Sequence, residues 1–301
     1  MRKAIFIIAL SVLAAACKNK DLYYGDERGR QAVNVVIDWP AGAVKPSNSM
    51  RVNLFSRNTQ PDYGRVDMGS DGGNINLPLG ADYMGLCYNY HDNQIIFADQ
   101  DNAQQIRVYC AQITRSTYSR AYPDETTHIQ PDADLYTAKV ASFPVHASAD
   151  PLVMLYEVEN IIKTYTFEVE NVKGTELITD VRGAISGMTN GYFLSSQTYF
   201  QEPATIFFSA TADVANNRIT GSFRTFGRLD MDNFFTLEIL FPSNDGRILQ
   251  YTYNVTPQID TNNHFHIHIA DSGIDVPDES GQSSEGWGVD VNDWDRVPVQ
   301  L

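Results

Sequence analysis

Three histidines, His264, His266 and His268, recur at every second position. On a β-strand that spacing puts all three on one face, where imidazoles could hold zinc or copper. The alternate positions Phe265, Ile267 and Ile269 would then form a buried face. Same-face neighbours on one strand lie roughly 6.5–7 Å apart, which is wide for three ligands on one ion. The histidines are therefore read as the wet side of a half-buried strand. Asp99, Asp101 and Asn102 resemble the opening of a calcium loop but lack its following glycine and closing glutamate. They read as a solvated turn. Asp290, Asp293 and Asp295 around Trp294 could also take calcium, but an acidic edge that discourages wrong strand pairing is the plainer account. No metal and no cofactor is expected.

Catalytic motifs are lacking. The chain has no His-Glu-x-x-His, no Gly-x-Ser-x-Gly, no Walker-type loop and no dinucleotide glycine fingerprint. Ser186 stands between Ile185 and Gly187, a small-residue turn or bulge and not a nucleophile elbow. Carboxylates are plentiful, yet nothing marks a specific acid–base pair of the glycosidase kind. The expectation is a protein that is not an enzyme. A formal charge of −15, from 22 basic and 37 acidic residues, also argues against nucleic acid as a partner, because phosphate contact needs a basic face.

The N-terminus carries a modification signal. Arg2 and Lys3 precede an apolar run, Ala4 to Leu13, then Ala14, Ala15 and Ala16, and then Cys17. This is the plan of a secretory signal peptide over residues 1–16, with an apolar stretch too short to span a bilayer. A cysteine directly after the small residues resembles a bacterial lipobox, although Ala14 stands where a large aliphatic residue is usual. Cys17 is thus the expected lipidation site, and the lipid is the expected contact with a membrane. Without residues 1–16 the chain keeps 20 basic and 37 acidic residues, a net of −17. Such a surface is repelled by anionic headgroups. The polar, charge-dense stretch that follows makes residues 17–31 a tether. Cys87 and Cys110 remain. An oxidising compartment permits them to pair, and two separate buried thiols are the other reading.

Those features need elements to hold them, and the elements are strands. Val33, Val35, Ile37 and Trp39 alternate with polar residues, as do Met50, Val52 and Leu54, and Ile75, Leu77 and Leu79. Tyr165, Phe167 and Val169, then Phe235, Leu237, Ile239 and Phe241, repeat the pattern in the second half. Period two with one apolar face is the mark of an antiparallel strand on a core. Asp92-Asn93, Asn216-Asn217 and Asn244-Asp245-Gly246 punctuate the runs as turns. Ser116–Pro131 reads as a long excursion, and Leu152–Glu159 is the best helical candidate. The fold class is all-β, two tandem antiparallel β-sandwiches over residues 32–149 and 150–277, with an acidic tail over 278–301. In that tail Val297, Val299 and Leu301 are spaced by two beside Pro298. They form a candidate partner-strand segment, or they close the protein's own second sheet, which is the favoured reading.

The lipobox, the stretch Leu77-Pro78-Leu79-Gly80-Ala81-Asp82-Tyr83 followed by Cys87-Tyr88-Asn89, and Val181-Arg182-Gly183-Ala184-Ile185-Ser186-Gly187-Met188 together resemble the fimbrillin-like lipoproteins of the Bacteroidales. The ending Gly288-Val289-Asp290-Val291-Asn292-Asp293-Trp294 resembles the acidic tail of the same group, and the anchor and accessory subunits are the nearest branch. The resemblance implies two transthyretin-like sandwiches and a lipid-anchored outer-membrane protein at the cell surface or in a fimbria. Its partners would be fimbrial subunits, gripped by strand addition, and no catalytic residue is transferred. A stand-alone surface lipoprotein that binds a glycan or a host protein is the alternative. Trp39, Trp287 and Trp294 are the only tryptophans available for a carbohydrate platform.

Overall fold

The computed structural model describes residues 29–46, 50–90, 94–114, 125–243, 247–259 and 265–278. Its first half contains β1 (Arg30–Asp38), β2 (Met50–Ser56), β3 (Gly64–Met68), β4 (Gly72–Pro78), β5 (Asp82–Asn89) and β6 (Ile95–Ala98). These are followed by β7 (Arg107–Cys110), β8 (Thr126–Ile129), β9 (Tyr136–Pro144), β10 (Leu152–Glu157) and β11 (Glu159–Asn160). Alternation decides their faces. In β1, Val33, Val35 and Ile37 point inward while Asn34 and Asp38 are exposed. A three-stranded sheet, β10-β1-β4, packs on a five-stranded sheet, β11-β9-β5-β2-β3. Between them lies a core of Val33, Val35, Ile75, Leu77, Met50, Val52, Tyr83, Cys87 and Tyr156, among others.

The second half contains β12 (Lys163–Val169), β13 (Asp180–Thr189), β14 (Gly191–Phe193), β15 (Thr198–Tyr199), β16 (Ala204–Ser209) and β17 (Thr211–Asp213). Then come β18 (Arg218–Thr225), β19 (Gly227–Arg228), β20 (Phe234–Leu240), β21 (Ile248–Asn254), the single helical turn α1 (Thr256–Ile259) and β22 (His266–Ile269). Here β17-β18-β12-β22 packs on β21-β20-β13-β16-β8. The core between them is aromatic, with Phe208 and Phe223 stacked at 4.5 Å and Phe167 set 5.0 Å from Phe235. Glycines make room for these rings: a Cβ on Gly183 would stand 2.0 Å from Phe208. The all-β sandwich fold is therefore as expected.

Several details differ from the sequence reading. Leu152–Glu157 is a strand and not a helix: Met154 and Tyr156 are buried while Val153 and Leu155 face out, which is period two. The two exposed aliphatics had blurred that alternation. As β10 pairs with β1 and β11 with β9, the first sandwich runs on past residue 150, the expected boundary, to Asn160. The excursion 116–131 ends in a strand, since β8 adds in parallel to β16 of the second sandwich. The sheets are mostly antiparallel, with parallel pairs at β1–β10, β12–β22 and β8–β16.

A third core joins the halves. Strands β6 and β7 pair with β14 and β15 in one sheet that draws from both halves. Beneath it, Phe55, Leu86, Tyr88, Val108, Cys110, Ile161, Ile162, Tyr192 and Phe226 are buried together. This explains β5, whose burial is nearly continuous: Tyr83 and Cys87 face the first core, and Leu86 and Tyr88 face the third.

Candidate functional site

An edge strand presents unpaired main-chain N–H and C=O groups, so the edges of the sheets are where a further strand could pair. Several edges are guarded. Along β3, Arg51 from the neighbouring strand holds Asp67 with two bonds, Nε to Oδ1 at 2.7 Å and Nη2 to Oδ2 at 2.8 Å. The Arg51 guanidinium also lies 3.8 Å from the centre of the Tyr90 ring. The Arg51 pair holds the Asp67 carboxyl below its usual range. With Arg65 beside it, the β3 edge is charged, which discourages pairing. The edge of β4, unpaired among the described residues, shows Asn74 and Asn76. At β8 the edge is taken by residues 111–113, with Ile113 N–H donating to Thr127 O at 2.9 Å and Ile129 N–H to Ala111 O at 3.0 Å.

The edge of β22 is partly covered by a side chain. Asn254 Oδ1 accepts from Thr256 N–H at 3.0 Å, an Asx turn that leads into α1. The turn then aims Gln258 at His268: the amide Nε2 donates to His268 O at 2.9 Å, and His268 N–H donates to Oε1 at 2.7 Å. A glutamine thus occupies the main-chain N–H and C=O of His268 on the outer side of β22.

Strand β10 is the other edge of the sheet that β4 borders, and it differs from β4 in its side chains. Among the described residues it pairs with β1 alone. Its outward side chains include Val153, 60% exposed, and Leu155, 46% exposed. An open six-residue edge with aliphatic side chains standing beside it is the surface best suited to receive an extended segment.

The residues singled out in the sequence fall as follows. Cys17 and the Val297, Val299 and Leu301 segment lie outside the described residues, as do His264, Trp287, Trp294 and the tail aspartates. Cys87 and Cys110 are both free and buried, the former in the first core and the latter in the third. The candidate bridge is not formed, because β5 and β7 turn these side chains into different cores. Burial pushes both thiols well above their usual pKa, so neither is nucleophilic near neutral pH.

His266 and His268 are exposed opposite buried Ile267 and Ile269. They bond to their own sheet, His266 Nδ1 to Thr166 Oγ1 at 2.8 Å and His268 Nε2 to Glu170 Oε1 at 3.4 Å. Asp99 pairs with Arg107 at 3.1 Å and Asp101 with Arg65 at 3.5 Å, so these carboxylates face arginines and not a common centre. No group of three or more metal-type ligands converges among the described residues. Ser186 lies in the bulge of β13, buried, and its hydroxyl accepts from Phe234 N–H at 3.0 Å. Trp39 spends its indole N–H on Ser70 O at 2.7 Å and packs edge-on to Tyr136 at 5.0 Å. A concavity beside Arg65 and Gln100 encloses about 50 Å³, room for water and not for a sugar.

Sequence reasoning missed a buried polar node. Glu125, fully buried, accepts from Gly187 N–H at 2.9 Å and from the Thr205 hydroxyl. Nearby, His128 Nδ1 lies 3.0 Å from Cys110 O and Nε2 lies 2.7 Å from Thr126 Oγ1. Burial lowers the His128 pKa from its ordinary value of 6.5. These residues tie β8 to the second sandwich.

Comparison with known proteins agrees with this architecture. Fim4B of Bacteroides ovatus, a candidate fimbrium anchoring subunit, is 24% identical over 225 residues, covering 73% of this chain. The chain spans 64% of the length of that curated relative. A candidate adhesin from Bacteroides ovatus, known from its crystal structure, superposes with a TM-score of 0.65 at 20% identity, over 87% of this chain and 96% of that one. The fimbrial anchor protein Mfa2 from Porphyromonas gingivalis superposes with a TM-score of 0.50 at 12% identity, over 78% and 86%. Both share the fold. The family model described as "Domain of unknown function (DUF5119)" matches residues 16–209, and the chain belongs to that family.

Proposed function

We propose that this protein is an anchor or accessory subunit of a cell-surface fimbria, held to the outer membrane by a lipid on Cys17. It grips a neighbouring subunit by strand addition and catalyses nothing. The observation that carries the reading is the open β10 edge with Val153 and Leu155, on a fold shared with a fimbrial anchor protein. The candidate anchoring subunit Fim4B supports the same role. The occupant of β10 is an extended segment of a fimbrial subunit: its main chain supplies the hydrogen bonds, and its alternate side chains cover the two aliphatics. Val297, Val299 and Leu301 act in the protein's own second sheet or as the strand given to the next subunit.

Capture from detergent-solubilised membranes of fimbriated cells tests the role. The parent chain is expected to recover fimbrial subunits. Val153→Lys with Leu155→Lys is expected to lower recovery by more than about tenfold, since each aliphatic side chain covered is worth about 1.5–3 kcal/mol. Recovery of the parent chain alone overturns the fimbrial reading. Labelled palmitate is expected to enter the parent and not Cys17→Ser; equal labelling of both overturns the anchor.

A further inference from the structure

We infer that both sandwiches are built as mechanical clamps that carry tension along the chain in shear. In each, among the described residues, the strand that opens the smaller sheet, β1 or β12, lies inside that sheet and pairs in parallel with a strand from late in the same half, β10 or β22. In the first sandwich β1 runs beside β10 from Val33–Leu152 to Asp38–Glu157, six pairs in register. On its other flank it meets β4 over seven pairs, Arg30–Pro78 to Val36–Gly72. The second sandwich repeats the arrangement: β12 lies between β18, paired over seven residues, and β22, paired from Thr166–His266 to Val169–Ile269. Main-chain bonds carry that parallel contact further, with Lys173 N–H donating to Ile274 O and Val276 N–H to Lys173 O, each at 3.0 Å.

Direction gives the consequence. In a parallel pair, the start of one strand and the end of the other lie at opposite ends of the ladder. A pull on the chain before Arg30 against the chain after Glu157 therefore slides β1 along β10, and all the ladder bonds are strained together. The same holds for a pull before Lys163 against the chain after Val276. In an antiparallel terminal pair, the same pull would open bonds one at a time. The junction between the clamps is held as well: Val158 N–H donates to Asp38 O at 3.0 Å and Ile161 N–H to Leu135 O at 2.9 Å, and Ile161 and Ile162 are buried. Load thus passes from one clamp to the next through a fixed segment. The use of this property in a fimbria rests on the reading given above, but the property belongs to the isolated chain.

Single-molecule stretching of the full chain tests it. In a Cys17→Ser, Asp150→Cys variant, one handle is fixed at the N-terminal end. The other is fixed either at the C-terminal end or at the new exposed thiol, which lies at the Arg30 end of β10 and so peels β1 away. Lifetime under constant load is expected to be at least about tenfold longer for end-to-end pulling, as ladder bonds that must break together require. The two clamps are in series, so a weak second clamp would shorten the end-to-end lifetime, and the result tests both. Equal lifetimes in the two geometries overturn the proposal. Both measurements use one folded variant, so a change in its overall stability cannot mimic the difference. Neither outcome depends on whether subunits are captured.

Discussion

His128 is buried with Thr126 Oγ1, Cys110 O and the Asn190 amide around its ring, a setting that suits the neutral imidazole. Its pKa lies below the usual 6.5, so the unfolded chain binds the proton more readily. The stabilisation is complete above pH 6.5 and is lost as the pH falls through that value toward the folded-state pKa. Each unit of displacement is worth about 1.4 kcal/mol. Urea midpoints measured from pH 7.5 down to 5 are expected to decline in the parent and to decline less in His128→Gln; parallel curves would exclude His128 as the cause. Two glycines give a sharper stability test. Gly187 has φ +70°, and a Cβ there would meet Asp232 O at 2.7 Å, while one on Gly183 would enter the Phe208 ring. Gly187→Ala and Gly183→Ala are each expected to cost about 1–3 kcal/mol, read from thermal melting. At this scale the sequence was only partly legible. It placed Ser186 and Gly187 in a turn or bulge, because small residues interrupt an apolar alternation. It could not show Glu125, a single carboxylate among many, becoming a buried acceptor.

The strands were largely visible because alternation is a local property. Val33, Val35 and Ile37, or Tyr165, Phe167 and Val169, announce their buried face without reference to a partner. Pairing is not local, and there the reading failed. Leu152–Glu157 looked helical because Val153 and Leu155 add apolar residues on the wet face. Thr126–Ile129 looked like loop because only a neighbour from the other half makes it a strand. The attachment of β8 can be tested. Glu125→Ala leaves Gly187 N–H without its acceptor in a buried place, at an expected cost of about 1–3 kcal/mol in chemical unfolding. Hydrogen exchange should then rise first along β8 and its partner β16, and unchanged protection there would show that pairing with β16 suffices without the carboxylate.

Across the whole molecule, the two halves exchange strands through β7–β14 and β8–β16 and share the third core. Two-domain chains often unfold in two steps, but here neither half completes its burial alone. One calorimetric transition is expected, with the van't Hoff enthalpy matching the measured one. Phe226→Ala, fully buried in the shared core, is expected to cost about 3–5 kcal/mol and to split that transition. A parent protein that already melts in two steps would refute the coupling. The sequence indicated two sandwiches but not their union, since the buried residues of the third core come from five strands and the segments beside strands, with no common period. The Gln258 contact with His268 has a further meaning at this scale. A polymer lengthens only when each unit offers a place to be joined at both ends. By spending its own amide on His268, the molecule leaves less main chain along β22 for another strand to join.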